Sequence, residues 1–229
     1  MKTLECRGIT LSDKQTKICV PITGTDLEEI KEQAEKIANM NPDVVEWRAD
    51  FYDVKNNDET EFEQCLKAIN DNLKKIPIIY TYRTSNEGGE KSIDVDDYCR
   101  LCKYVSEISE KYNVAMIDVE LYENKDRKDI GKLLLDIKST GVKVIGSNHH
   151  FEGTPSEKDI FNVLKTMEEA GADICKIAVM PKEKVDVKIL INASKKANKE
   201  LNAPIITMSM GELGAVTRIC TRMTESVVT

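Results

Sequence analysis

Apolar and β-branched residues cluster in seven short runs, at 17–22, 43–49, 77–82, 114–120, 142–147, 172–179 and 203–209, and each run reads as a strand. Their starts lie 26, 34, 37, 28, 30 and 31 residues apart, which leaves room for a crossover helix between successive parallel strands. The intervening segments change to helical periodicity. Thr25-Asp26-Leu27-Glu28 reads as a capping box ahead of Leu27, Ile30, Ala34 and Ile37, and Ser156-Glu157-Lys158-Asp159 precedes Ile160, Val163, Met167 and Ala170. Gly141 and Gly171 fall where helices end and strands begin. Residues 4–11 suit a short N-terminal hairpin, and 226–229 suit an eighth strand. The pattern predicts an α/β fold, a (β/α)8 TIM barrel forming one domain over 1–229 that ends within its eighth strand, so that the C-terminal βα unit is incomplete. No G-x-G-x-x-G follows the first strand, which disfavours a doubly wound dinucleotide-binding sheet.

Composition narrows the partners. Charged residues make up 32% of the chain at a formal net charge of −7, without a basic stripe, so nucleic acid is not an expected partner. No window reaches the ~18 consecutive apolar residues of a membrane span, and the N-terminus lacks a signal-peptide pattern. A cytoplasmic location without membrane contact is expected. The seven cysteines, Cys6, Cys19, Cys65, Cys99, Cys102, Cys175 and Cys220, are odd in number and scattered, which suits reduced thiols. Cys99 and Cys102 form a C-x-x-C on a helical pattern with no second pair or nearby histidine, and no metal site is expected there.

Lys176 interrupts an otherwise apolar strand. Two readings stay open on that segment alone: a lysine whose head reaches solvent, or a desolvated amine whose lowered pKa makes it a nucleophile. Strand parity adds context, because alternate residues share a face. Glu46, Arg48 and Asp50 point one way and Val45, Trp47 and Ala49 the other; Asp118 pairs with Glu120, Ser147 with His149, Met208 with Met210, and Lys176 with Ile174 and Ala178. Inward carboxylates and guanidinium groups are either a structural ion network or the lining of a polar site at the C-terminal ends of the strands. Of the adjacent His149 and His150, one is expected to enter the barrel mouth. Arg83 and Glu87 sit on a glycine-containing loop after the third strand. A lysine, a histidine one strand earlier and several arginines suit Schiff-base chemistry on an anionic ketone. Desolvation and nearby positive charge are expected to lower the Lys176 pKa.

Glu46-Trp47-Arg48, Arg83-x3-Glu87-Gly88-Gly89-Glu90, Ser147-Asn148-His149-His150-Phe151, Lys176-Ile177-Ala178-Val179-Met180-Pro181 and Met208-Ser209-Met210-Gly211 followed by Arg218 together resemble the type I 3-dehydroquinate dehydratase family. The resemblance covers nearly the whole chain, in order. It implies a hydro-lyase converting 3-dehydroquinate to 3-dehydroshikimate in the shikimate pathway of aromatic amino-acid biosynthesis, with no metal or cofactor and with a homodimer as the assembly. By position, Lys176 is the Schiff-base lysine and His149 the proton carrier for C2 and the C1 hydroxyl, with Glu87 supporting it. Glu46, Arg48 and Arg83 would hold the ring hydroxyls, Arg218 the substrate carboxylate, and Phe151, Met208 and Met210 the apolar walls. The sequence departs from the family pattern at His150, Cys175 and Glu212. It also stops at Thr229, where relatives continue through a loop over the substrate and a final helix, so a missing lid and weakened catalysis are expected. A class I aldolase-like enzyme and a non-catalytic ligand-binding barrel are the alternatives.

Overall fold

The computed structural model describes residues 2–53, 58–122, 124 and 127–229. Nine strands and seven helices alternate in it: β1 (Thr3–Cys6), β2 (Ile9–Ser12), β3 (Cys19–Ile22), α1 (Leu27–Met40), β4 (Val44–Arg48), α2 (Glu59–Leu73), β5 (Ile78–Thr81), α3 (Val95–Glu107), β6 (Val114–Glu120), α4 (Lys128–Ser139), β7 (Lys143–His150), α5 (Glu157–Glu169), β8 (Ile174–Val179), α6 (Lys184–Glu200), β9 (Ile205–Ser209) and α7 (Gly211–Ile219). Strands β3 to β9 pair in chain order, all parallel.

The last residues join the two edges of that sheet. The Val227 N–H donates to the Ile205 carbonyl at 3.0 Å on one side. On the other, the Lys17 N–H donates to Val227 O at 2.9 Å, Thr229 N–H to Lys17 O at 2.9 Å, and Cys19 N–H to Thr229 O at 2.7 Å. Residues 227–229 thus serve as the eighth stave, and the barrel expected from the spacing closes. The Ser226 hydroxyl fixes this stave in depth, accepting from the Thr207 N–H at 2.9 Å and donating to the Thr207 carbonyl at 3.0 Å.

Local signals hold with one shift. Helix α5 starts as expected, Ser156 accepting from the Asp159 N–H at 3.2 Å while its hydroxyl donates to the Asp159 carboxylate at 2.6 Å. Helix α1 starts one residue later than the Thr25 box: Asp26 is the N-cap, accepting from the Glu29 N–H at 2.9 Å, and Glu29 reaches back to the Thr25 N–H and hydroxyl, both at 2.8 Å. A carboxylate at Asp26 competes well for the cap position, and Thr25 is left to fold back against Glu29.

Two apolar layers follow from parity. Val45, Trp47, Ala49, Tyr80, Ile117 and Ile177 face outward into the helix layer, where Trp47 meets Phe62 of α2 and Tyr80, each at a ring-centroid distance of 5.6 Å. Inward, Val44, Ile79, Met116, Ile145, Ile174 and Ile206 form a ring inside the barrel. The antiparallel hairpin of β1 and β2 closes its floor, with Cys6, Ile9 and Leu11 packed against that ring. The barrel is therefore dry at its N-terminal end, and polar groups have only the opposite end at which to gather.

Candidate active site

Two residues beyond the apolar ring, each strand presents its next inward side chain: Glu46, Thr81, Asp118, Ser147, Lys176 and Met208. Two residues further come Arg48, Arg83, Glu120, His149, Ala178 and Met210. One layer is a ring of polar groups around Lys176, and the next forms the mouth.

Lys176 lies inside the barrel, with 13% of its side chain exposed. Its Nζ donates to Asp118 Oδ2 at 2.9 Å and lies 3.6 Å from Glu46 Oε1. Glu46 in turn accepts from the Thr81 hydroxyl at 2.8 Å. Burial alone would lower the lysine's pKa, but the carboxylates of Asp118 and Glu46 outweigh it and raise the pKa above its ordinary value, against the opposing charge of Arg83. This corrects the expectation of a lowered pKa: the free site holds an ammonium ion. Asp118 is 1% exposed, and the Arg83, Lys176 and His149 charges with the Ser147 hydroxyl overcome its own desolvation and hold its pKa low.

Arg83 sits at the centre of the network and is 3% exposed. It donates to Asp118 Oδ1 at 2.8 Å, Ser147 Oγ at 2.9 Å, Glu120 Oε1 at 3.2 Å and Glu87 Oε2 at 3.5 Å. Both of its terminal nitrogens are thus engaged by protein groups. Arg48, half-buried above it, makes a bidentate pair with buried Asp50 at 2.8 and 2.7 Å and lies over the Phe51 ring. Asp50 also accepts from the backbone N–H groups of Arg83 at 3.3 Å and Glu90 at 3.2 Å, tying the ends of β4 and β5 together.

Of the two histidines, His149 enters the mouth. Its Nδ1 lies 2.8 Å from Glu87 Oε2, while Asn148 donates to Glu87 Oε1 at 3.3 Å. Contact through Nδ1 leaves Nε2 as the nitrogen for chemistry. Burial, then the charges of Arg83 and Lys176, hold the imidazolium well below its ordinary pKa. Burial and the neighbouring Glu120 carboxylate push the Glu87 carboxyl up to about 8, against the pull of Arg83. The two groups are close enough to titrate as a unit that keeps one proton near neutrality. The Phe151 ring stacks on His149 at a centroid distance of 6.4 Å. The same ring lies over Gly88, at φ +81°, where an added Cβ would fall 2.2 Å from it.

A cavity of about 190 Å³ opens beside Lys176. Glu46, Lys176, Met208 and Arg218 line it together with Cys19, Pro21 and the closing residues Val228 and Thr229. Arg218 projects from α7, and its backbone carbonyl accepts from the Thr229 hydroxyl at 3.1 Å. Met210 is half-buried at the start of α7, with its N–H on the Val179 carbonyl at 2.8 Å. The structure therefore gathers Glu46, Lys176, Met208 and Arg218 around one cavity, and places His149, Glu87, Phe151, Arg83 and Arg48 at the adjoining mouth. The group to which sequence reasoning gave no catalytic or binding role is Asp118, although its inward parity with Glu120 on an otherwise apolar strand was the available signal.

The geometry can be set beside known proteins. The family model for type I 3-dehydroquinase matches residues 18–229. The 3-dehydroquinate dehydratase of Listeria monocytogenes serotype 4a is 36% identical over 100% of this chain and 88% of that protein. That of Klebsiella pneumoniae strain 342 is 38% identical over 97% of this chain and 87% of its own length. Among solved structures, type I 3-dehydroquinate dehydratase from Clostridium difficile, crystallised with covalently modified comenic acid, superposes with a TM-score of 0.93 at 36% identity, covering 100% of this chain and 89% of that one. The barrel with Lys176 inside it and this full-length likeness agree: the chain belongs to the type I 3-dehydroquinase family.

Proposed function

We propose that this protein dehydrates 3-dehydroquinate to 3-dehydroshikimate, as a hydro-lyase of the shikimate pathway, through a Schiff base on Lys176. The observation that carries the assignment is Lys176 itself, placed inside the barrel and bordering the same cavity as the Arg218 cation, near a histidine held by Glu87. Arg218 holds the substrate carboxylate at the cavity's edge. Glu46 and Arg48 meet the ring hydroxyls, with Arg83 fixing the carboxylates around them, and Met208, Met210 and Phe151 form the apolar walls. Lys176 passes one ammonium proton to a neighbouring carboxylate, the neutral amine so formed adds to the C3 ketone, and that proton returns to the carbinolamine oxygen as it departs in water, leaving an iminium that draws electrons from the neighbouring carbon. His149 then removes the C2 proton through Nε2 while Glu87 supports Nδ1, and returns a proton to the departing C1 hydroxyl.

The reading extends to a single barrel domain acting as a homodimer in the cytoplasm. The parallel order of the strands supports the first, the family likeness the second, and seven free cysteines a reducing compartment.

The test is reduction with borohydride in the presence of 3-dehydroquinate, followed by mass spectrometry. Wild type is expected to carry a covalent adduct on Lys176 and to release a conjugated product when the reductant is omitted. The assignment fails if wild type gives no adduct, or if Lys176→Ala is labelled equally.

A further inference from the structure

We infer that Asp118 is the counter-ion of the Lys176 iminium, the group that keeps the imine nitrogen protonated while the neighbouring carbon loses its proton. The inference rests on the Schiff-base reading of Lys176 and deepens it.

The argument begins with the contact. Asp118 Oδ2 lies 2.9 Å from Lys176 Nζ, two strands away on β6, and the oxygen belongs to a carboxylate that is almost fully shielded from water. Its other oxygen is held by Arg83 at 2.8 Å and receives the Ser147 hydroxyl, so the carboxylate is fixed from both sides. A buried carboxylate held in this way is an ionised group with little freedom to turn aside. When the ammonium becomes an iminium, the positive charge remains on the same nitrogen, and the same oxygen is in place to balance it.

The reaction balance fits. Ammonium plus ketone gives a protonated iminium plus water: the nitrogen forms a double bond to the carbonyl carbon, the carbonyl oxygen leaves in the water with two of the nitrogen's hydrogens, and one hydrogen stays on nitrogen. No net proton is gained or lost, and no oxidant or reductant is needed. The charge beside Asp118 is +1 before and after. The feature that makes the free lysine a poor nucleophile, its carboxylate partner, is therefore the feature that makes the imine a good electron sink.

Other charged and titratable groups face the nitrogen and define the competition. Cys19 of β3 and Arg218 of α7 border the cavity with it, Glu46 of β4 lies 3.6 Å away, Arg83 follows β5, and His149 extends from β7. Arg83, Arg218 and a protonated His149 would each destabilise an iminium. Of the two carboxylates, Glu46 is farther, its side chain is 20% exposed against 1% for Asp118, and it is shared with Thr81. Asp118 is the partner with the stronger hold.

The experiment is trapping with cyanoborohydride, which reduces the iminium and spares the neutral imine, using 3-dehydroquinate with wild type, Asp118→Asn and Glu46→Gln across about pH 6 to 10. Wild type is expected to trap across the range. In D118N the neutral amine becomes more available and the imine proton less tightly held. Trapping should therefore persist or rise at the acid end and fall by roughly tenfold or more at the alkaline end, with a smaller alkaline loss in E46Q. A purely structural role would lower trapping equally at every pH, and that result, or a D118N profile parallel to wild type, overturns the inference. Absence of any wild-type adduct overturns the Schiff-base reading instead. Should circular dichroism show D118N unfolded, the imine of wild type labelled with 15N-lysine is titrated by NMR in the presence of 3-dehydroquinate. Retention of the imine proton well above neutrality supports the counter-ion, and its loss at or below neutrality overturns it.

Discussion

Glu87 contacts His149 at Nδ1, 2.8 Å away, and so determines which imidazole nitrogen faces the barrel mouth. The pair keeps one proton that must leave before Nε2 can act as a base, and the Glu87 carboxyl gives that proton up at about 8. The kcat/KM of the free enzyme is therefore expected to rise with pH along a limb centred near 8 wherever proton abstraction limits the rate. In Glu87→Gln, His149 titrates alone, held below its ordinary 6.5 by burial and by Arg83 and Lys176, so the limb should move to lower pH while the plateau falls by roughly 10²-fold or more. A pH profile of the variant that keeps the wild-type limb would count against the shared proton.

The same pair predicts a stability trend. The unfolded chain holds the Glu87 proton only below about 4.5 and the His149 proton below about 6.5, whereas the folded pair keeps one proton up to about 8. Between about 6.5 and about 8 the native state thus binds more protons than the unfolded one, and the pair's contribution to stability declines as pH rises through that window. Urea midpoints of wild type minus those of the Glu87→Gln, His149→Asn double variant should reproduce this shape.

Arg218 borders the cavity from an exposed position on α7 and has no part in the buried network around Lys176. The contact proposed for Arg218 with an anionic substrate would be made equally before and during the chemical step, so Arg218→Ala is expected to raise KM roughly 10- to 100-fold with kcat changed much less. Steady-state kinetics separate the two, and a fall in kcat at unchanged KM would argue against a binding role.

Leu11 is fully buried in the floor of the barrel, with the apolar ring between it and the polar layer. Leu11→Ala is expected to cost about 2–5 kcal/mol in a urea denaturation experiment while leaving KM near the wild-type value. A large change in KM without loss of stability would show that floor and site are coupled.

Much of this architecture was legible because it depends on local period. Alternation along 43–49 already separated Glu46 and Arg48 from Val45 and Trp47, and the regular spacing of apolar runs led to the barrel. What stayed hidden depends on groups distant in sequence. The direction of the Lys176 pKa shift is set by Asp118, 58 residues away, and by Glu46 on yet another strand; no window around the lysine contains either. The family resemblance makes Arg83 a substrate ligand; what it does not convey is that the terminal nitrogens also meet Asp118, Glu120, Ser147 and Glu87, because the barrel brings two strands and a loop to one point. The start of α1 at Asp26 rather than Thr25 is a competition between two good caps that composition alone does not rank.

The closing stave has a consequence for how the molecule breathes. Strands β7 and β8 align over six residue pairs, whereas among the described residues the stave at 227–229 is joined through the Val227–Ile205 backbone bond on one side and three backbone bonds to Lys17 and Cys19 on the other. In native-state hydrogen exchange the amides of Lys17, Cys19, Val227 and Thr229 should lose protection before those of β6 to β8. Because the Thr229 hydroxyl also bonds the Arg218 carbonyl, each such opening would free the backbone of the residue proposed to hold the substrate carboxylate, while the Lys176–Asp118 contact stays closed.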